Sequence, residues 1–510
     1  MDLANITGII NGYIWAIPLV VVAIVVGLFF TISMGVPQVR LIKDMVKYLL
    51  KGNSDSKEGI SSFQGFAMAL GGRIGVGNIA GVATAICFGG PGAVFWMWII
   101  AIVGAGSAYA ESSLAQIYKE KIGGEYRGGP AYYIEKGFSN MPKFGKAFAI
   151  LFAITGVIAN GFTGPTIQAF NITDATKNAW GISPWITGAV IAILFALIVF
   201  GGMKRIGRTA EIIVPVMAIA YIVLALIILF VNYDKIIPTF GVIFRSAFNM
   251  EAVYGAVWGS TIIWGVKRGI YSNEAGMGSG AHASAAAEVS HPAKQGLAQS
   301  FSVYVDTLLV CTATAIMIIS TNMFNVQNEN TKEFVVQNIS TDINPGTGYT
   351  QLAIDTLIPG FGSGFIAIAV FFFAFTTLLS FAFYTDANAS YIARGAKSES
   401  TRKAIVTGSK VILTAIIFWG SIRSSDAAWN LADIGVGLMA WVNLIAIFLL
   451  QNKVRTVFKD YEKQKKLGLD PVFVPEDCGI DAPLWDEIAE TKYAAQLTAK
   501  KEAEGKLEAK

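Results

Sequence analysis

Two stretches of this 510-residue chain gather residue types that can hold small charged solutes. One is Gly71-Gly72-Arg73-Ile74-Gly75-Val76-Gly77-Asn78. The other runs from Lys267 and Arg268 through Gly269, Tyr271, Ser272, Asn273, Glu274, Ala275, Gly276 and Gly278 to Gly280. Both lie inside otherwise apolar runs. A glycine costs a helix interior about 1 kcal/mol relative to alanine, so clusters this dense predict an interrupted helix. A lone small-xxx-small spacing would instead mark close helix packing. Crowded glycines beside Arg73, Lys267, Arg268 and Glu274 favour interruption, because ionisable residues at membrane depth are costly and mostly functional. An interruption frees N–H groups at the start of one half-helix and carbonyls at the end of the other. The half-helix beginning near Gly77 would aim its N–H groups and positive dipole end at a carboxylate. Glycine lets such a ligand reach the backbone with no Cβ in the way. The freed carbonyls suit a hard cation, which takes oxygen ligands. Thr376, Thr377 and Ser380, on adjoining turns of a later apolar run, are candidates to complete its shell. Taken alone, such hydroxyls more often bond their own helix backbone.

The elements that must position these groups are membrane helices. Hydrophobic residues make up 54% of the chain and charged residues 15%, against about 25% charged in soluble proteins. Eleven apolar runs have the length a bilayer core requires: approximately 13–34, 63–88, 92–118, 146–171, 184–201, 210–232, 250–286, 296–321, 362–394, 404–420 and 427–451. The first has no basic residue before it and reads as a retained helix rather than a signal peptide. With the N-terminus outside, inside loops hold 19 Lys and Arg and outside loops five, so the positive-inside rule gives N-out and C-in. Three scattered cysteines (Cys87, Cys311, Cys478) imply neither a disulfide framework nor a metal site. The tail after Asp460 alternates Lys, Glu and Ala and reads as a solvated amphipathic segment.

A shift of 201 residues superposes the two clusters: Gly75 on Gly276, Gly77 on Gly278, Ala80 on Ala281, Ala85 on Ala286 and Pro91 on Pro292. Five spans lie from one cluster to the other, an odd number, so the copies cross the membrane in opposite senses. Paired glycine-interrupted spans in two halves mark an inverted-repeat transporter with its site near the midplane. The expected architecture is therefore an all-α polytopic membrane protein with a 5+5 inverted-repeat core. Residues 1–62 form an extra N-terminal helix and loop, 63–249 the first repeat, 250–451 the second, and 452–510 a charged cytoplasmic tail.

The stretch Arg268-Gly-Ile-Tyr-Ser-Asn-Glu-Ala-Gly-Met-Gly-Ser279 resembles the signature of the alanine or glycine:cation symporter family. Gly71 to Gly81 and Gly128-Gly-Pro-Ala-Tyr-Tyr133 are similar to members of that family as well. The resemblance extends over nearly the whole chain and implies a leucine-transporter-like fold, sodium or proton coupling, and alternating access. It implies that Gly75, Gly77 and Asn78 bind the substrate carboxylate. It places Gln168, Asn273, Glu274, Ala275 and Gly276 around the substrate, and adds the carbonyls of Gly71 and Ile74 to Thr376, Thr377 or Ser380 in a sodium site. Arg73 stands where neurotransmitter-transporter relatives carry a small residue, which argues against a second sodium site there.

The expected activity is sodium-coupled symport of alanine or glycine into the cell, across the cell membrane, with proton-coupled or uncoupled small-solute transport as the alternative. An ion channel is disfavoured by the absence of a repeated filter sequence. An enzyme is disfavoured because two histidines with no cysteine partner offer neither a nucleophile–base pair nor a metal cluster. No Gly-x-x-x-x-Gly-Lys-Ser/Thr loop is present to support a primary pump. Nothing points to nucleic acid or to an obligate protein partner. Arg268 and Glu274 are expected to pair with each other or with Arg73. Glu111, Glu211, Asp306 and Asp386 are expected to be structural or gating partners, and His282 a packing residue.

Overall fold

A computed structural model of the chain describes residues 3–15, 17–50, 58–250, 252–329, 331–356, 359–396 and 398–508. Lys51, Lys57 and Lys397, counted above among inside basic residues, lie outside the described residues, as does the end of the 452–510 tail.

The described chain is helical apart from two short antiparallel hairpins, Glu120–Ile122 with Glu125–Arg127 and Asn325–Gln327 with Phe334–Gln337. Among the described residues seven helices are long and apolar enough to cross a membrane, and up to nine if each bent pair is one span. Apolar side chains on the outer face of Met203–Val231, including Ile212, Val216, Ile219, Val223 and Phe230, are exposed. Such a surface is unstable in water and natural against lipid.

The first glycine cluster does interrupt its span. Helix Ser62–Arg73 starts at a reciprocal cap, in which Ser61 Oγ accepts the Gln64 N–H at 3.0 Å and Gln64 Oε1 accepts the Ser61 N–H at 3.1 Å. It ends at Ile74, whose ψ of 87° leaves the helical region. A π-helical turn, Gly77–Gly81, then leads into Val82–Gly89, and the two halves are bent by 48°. The second cluster separates Trp258–Asn273 from Ser279–Ala286. Glu274, Gly276 and Gly278 all take positive φ there, at 54°, 84° and 84°. The glycines adopt this without strain, whereas Glu274 does so against its preference.

Helices Ala93–Ile117, Gly164–Trp180, Pro292–Val303, Phe361–Ala393 and Ser425–Leu449 surround the two breaks. The tail is not the solvated segment its composition suggests. Helix Gln451–Lys466 buries Val454, Val457, Phe458 and Tyr461, and beyond it Phe473 and Trp485 are wholly buried. Sparse aromatic residues, each seated in the body of the protein, outweigh the tail's charge.

Candidate functional site

At the first break the backbone between Arg73 and Gly77 is held by side chains in place of helical partners. The Gly75 N–H donates to Asn78 Oδ1 at 2.9 Å, and the Val76 N–H to Gln168 Oε1 at 3.2 Å. The Asn78 amide donates in turn to Asp306 Oδ1 at 2.7 Å. The same buried carboxylate accepts Ser272 Oγ at 2.9 Å and Thr307 Oγ1 at 2.7 Å. Asp306 therefore joins both breaks. The breaks also touch directly, since a Cβ on Gly77 would stand 3.1 Å from Ser272 Cα.

At the second break Asn273 Oδ1 accepts the Ala275 N–H at 3.0 Å, and Arg73 Nε donates to the Asn273 carbonyl at 2.6 Å. Glu111 Oε2 accepts the Gly278 N–H at 3.0 Å and the Asn443 amide at 2.8 Å; Asn443 also donates to Gly276 O at 2.9 Å. The expected pairing of Arg268 with Glu274 is not what forms, whereas Glu274 does lie within electrostatic reach of Arg73. Arg268 Nη1 lies 2.8 Å from Asp433 Oδ1, and Lys267 Nζ lies 2.7 Å from Asp433 Oδ2. Asp433 offers two carboxylate oxygens to two buried cations, whereas Glu274 is turned by its left-handed backbone toward the other side of the break. Arg73 binds Gln299 and Ser302 and lies within electrostatic reach of Glu111, Glu274 and Asp306.

A narrow chamber lies between the breaks and is lined by Arg73, Gly77, Gln168, Tyr271, Glu274 and Phe381, among others. Its free volume is about 10 Å³, room for one water. Glu274 Oε2 and the Tyr271 hydroxyl have no hydrogen-bond partner among the described residues. Buried polar atoms without partners are rare in folded proteins, so two beside one chamber suit a polar ligand. A wider cavity of about 700 Å³, lined by Trp264, Lys267, Arg268, Trp429 and Asp433, lies on the other side of the Tyr271–Trp429 ring pair, whose centroids are 5.5 Å apart.

A cluster of oxygens lies where Phe361–Ala393 meets the end of Ser62–Arg73. Thr377 Oγ1 is 2.8 Å from Gly71 O, 3.4 Å from Ile74 O and 3.0 Å from Phe373 O. Ser380 Oγ is 2.8 Å from Met68 O. One hydroxyl proton cannot serve three acceptors, so the Thr377 cluster is rich in lone pairs, the chemistry a hard cation takes. Thr376 differs. Its hydroxyl contacts Phe372 O and Phe373 O on its own helix, at 3.0 Å each.

The sequence model described as the sodium:alanine symporter family matches residues 1–475. The chain belongs to that family. Among relatives of this sodium:alanine symporter family member is the putative sodium/proton-dependent alanine carrier protein of Bacillus subtilis, 50% identical, with 95% of this chain and 98% of the relative covered. A sodium/proton-dependent alanine carrier protein of Bacillus sp. strain PS3 is 45% identical over 87% of this chain and 97% of its own. A probable sodium/glutamine symporter of Bacillus subtilis is 40% identical over 92% and 93%.

In this family member, Gly77, Gln168 and Glu274 line the chamber, and Gly75 and Asn78 stand one hydrogen bond behind it. Ala275 and Gly276 lie elsewhere: Ala275 packs against Gly104, and Gly276 against Leu444. Asp433 was missed by sequence reasoning because it lies in the apolar run 427–451, more than 160 residues from the cations it balances. Its signal was the carboxylate itself, alone in a membrane span. Asn443 was missed too, since neutral amides carry no such signal.

Proposed function

We propose that this protein is a sodium-coupled symporter of small neutral amino acids, alanine or glycine, working by alternating access in the cell membrane. The observation that carries the reading is the meeting of two interrupted helices around a closed polar chamber, beside a separate cluster of freed carbonyls and hydroxyls. The names of the relatives, two of them alanine carriers, support alanine as cargo.

The substrate carboxylate is assigned to the first break, at Gly75, Gly77 and Asn78, with Gln168, Asn273 and Glu274 completing the pocket; Glu274 Oε2 suits the ammonium. Ala275 and Gly276 act through the shape of the second break rather than by contact. Sodium is assigned to Gly71, Ile74 and Thr377, with Ser380 on the next turn and Thr376 reaching the ion only by rotating from its own helix. A small cargo fits a chamber this narrow better than a glutamine-sized one, and even alanine requires the surrounding side chains to give way. The eleven spans, the 5+5 inverted repeat and the N-out/C-in orientation belong to this reading. They are supported by the two opposed breaks and the basic-residue bias.

Labelled alanine uptake into liposomes, with an imposed sodium gradient, a proton gradient or none, tests it. Sodium-driven accumulation is expected. Equal uptake in all three conditions overturns the coupling, and accumulation driven by protons alone favours the second reading, proton-coupled transport, which the wording of two relatives' names keeps open.

A further inference from the structure

The two broken spans end together on one face of the molecule, and the C-terminal segment is fastened across that meeting point. Ile60, just before Ser62–Arg73, forms a parallel bridge with Ala287, just after Ser279–Ala286. Its N–H donates to Ala286 O at 3.0 Å, and its carbonyl accepts the Glu288 N–H at 2.9 Å. Any opening of this face must part these strands.

The tail ties them at three points. Lys492 binds Glu58 at 2.7 Å and also binds Glu288, so one ammonium spans both sides of the bridge. Trp485, fully buried, donates from Nε1 to Gln116 O at 2.8 Å, while Gln116 Nε2 holds Ala287 O at 2.8 Å. Between these two points Lys119 sits with its ammonium over the rings of Tyr126 and Trp485, 4.4 and 4.6 Å from their centroids, and 3.3 Å from Ala287 O. The third tie is at the loop before Pro292–Val303. There Phe473 N donates to Ser290 O at 2.8 Å, Ser290 Oγ donates to Pro471 O at 2.7 Å, and Lys294 pairs with Asp470 at 2.6 Å.

We infer that the segment 469–492 is an autoinhibitory strap that locks this face of the transporter shut, and that its release is required before the face opens. A tail that merely filled a groove would need no ammonium shared between the entrances of both broken helices. Trp485 and Lys492 lie beyond residue 475, where the match to the family ends. The strap rests on the transport reading only in requiring that this face open.

The test uses the full-length, reconstituted protein carrying Ser284→Cys as reporter and Cys478→Ser to remove the tail's own thiol. Ser284 is fully buried on the second half-helix and its hydroxyl is unpartnered among the described residues, so the exchange is nearly isosteric. Cys87 and Cys311 are buried and give the background rate. A protease site placed between exposed Gly468 and half-buried Leu469 is cut after assembly, and the freed segment is removed by a high-salt wash and checked by mass. Folding then precedes release, so a folding defect in the companion variant Trp485→Ala cannot decide the outcome. Labelling by an impermeant maleimide from the tail side is expected to rise roughly tenfold or more in the cut protein and in Trp485→Ala, as local opening becomes cheaper. Labelling at the uncut rate after verified loss of the segment overturns the strap. The readout needs no cargo, so a failure of the alanine assignment leaves it intact and separately readable.

Discussion

A Cβ on Gly75 would stand 2.5 Å from the Thr377 hydroxyl, with the Gln168 amide 3.1 Å away on its other side. The glycine is thus the contact between the group assigned to the substrate and the group assigned to sodium. Gly75→Val places a branched side chain there, and the Thr377 hydroxyl and Gln168 amide must shift to admit it. Alanine binding is expected to weaken by roughly 100-fold, about 2.8 kcal/mol, with the parent's gel-filtration profile retained. Calorimetry in detergent checks this, and unchanged affinity would show that the carboxylate lies elsewhere.

Thr377 and Thr376 are neighbours whose hydroxyls do different things, which gives a sharp comparison. Thr377→Val removes the oxygen shared with Gly71 and Ile74 and keeps the shape. The sodium concentration for half-maximal uptake is expected to rise roughly tenfold, about 1.4 kcal/mol. Thr376→Val removes bonds to Phe372, Phe373 and Met217 and should move it far less. Equal effects from the two variants would mean that the ion is not at the carbonyls of the first break.

Asp433 balances Arg268 and Lys267 in a dry setting, each of the three side chains being no more than 8% exposed. Removing one partner of a buried ion pair costs about 3–5 kcal/mol, because the other charge is left uncompensated. Asp433→Asn should therefore lower the melting temperature in detergent, and adding Arg268→Gln should restore part of the loss. A double variant as unstable as the sum of its single changes would show that the pair is not coupled.

The glycine clusters were readable in the sequence because their composition conflicts with the helix around them, and the breaks fall where Gly75 and Gly276 predict. Hydropathy likewise marked the helical stretches. Side-chain pairing was less accessible. Arg268 finds Asp433 rather than Glu274 because backbone geometry, not nearness in sequence, decides which carboxylate faces it. Position near a span end marks Asp306 as a structural or gating residue, but not that it ties Asn78 to Ser272. The tail was misjudged for a different reason. Its average is polar, and burial there depends on single residues such as Trp485 that an average conceals.

Lys119 makes docking of that tail depend on pH. Burial pushes its ammonium down from the usual lysine range to about 7, opposed by Glu288 and reinforced by Lys492. Trp485 supplies one wall of that burial, so release of the tail returns Lys119 toward 10.5. Between those values the released form keeps a proton that the docked form has shed. Docking should therefore strengthen as pH rises from 7 toward 10, by up to about tenfold per unit, and level off about a unit below 7. Glu58 and Lys492, which also face this point, titrate outside the window. Hydrogen bonds from Lys121 and Lys492 hold Glu58 down at about 2. At Lys492 burial lowers the value, but bonds to Glu288 and Glu58 outweigh it and leave the ammonium above the usual range. Limited proteolysis at the tail, normalised at each pH to a free tail peptide, measures the docked fraction. Cleavage should slow between pH 7 and 9 in the parent and stay level in Lys119→Met, and a parent profile as level as that of the variant would remove Lys119 from the docking equilibrium.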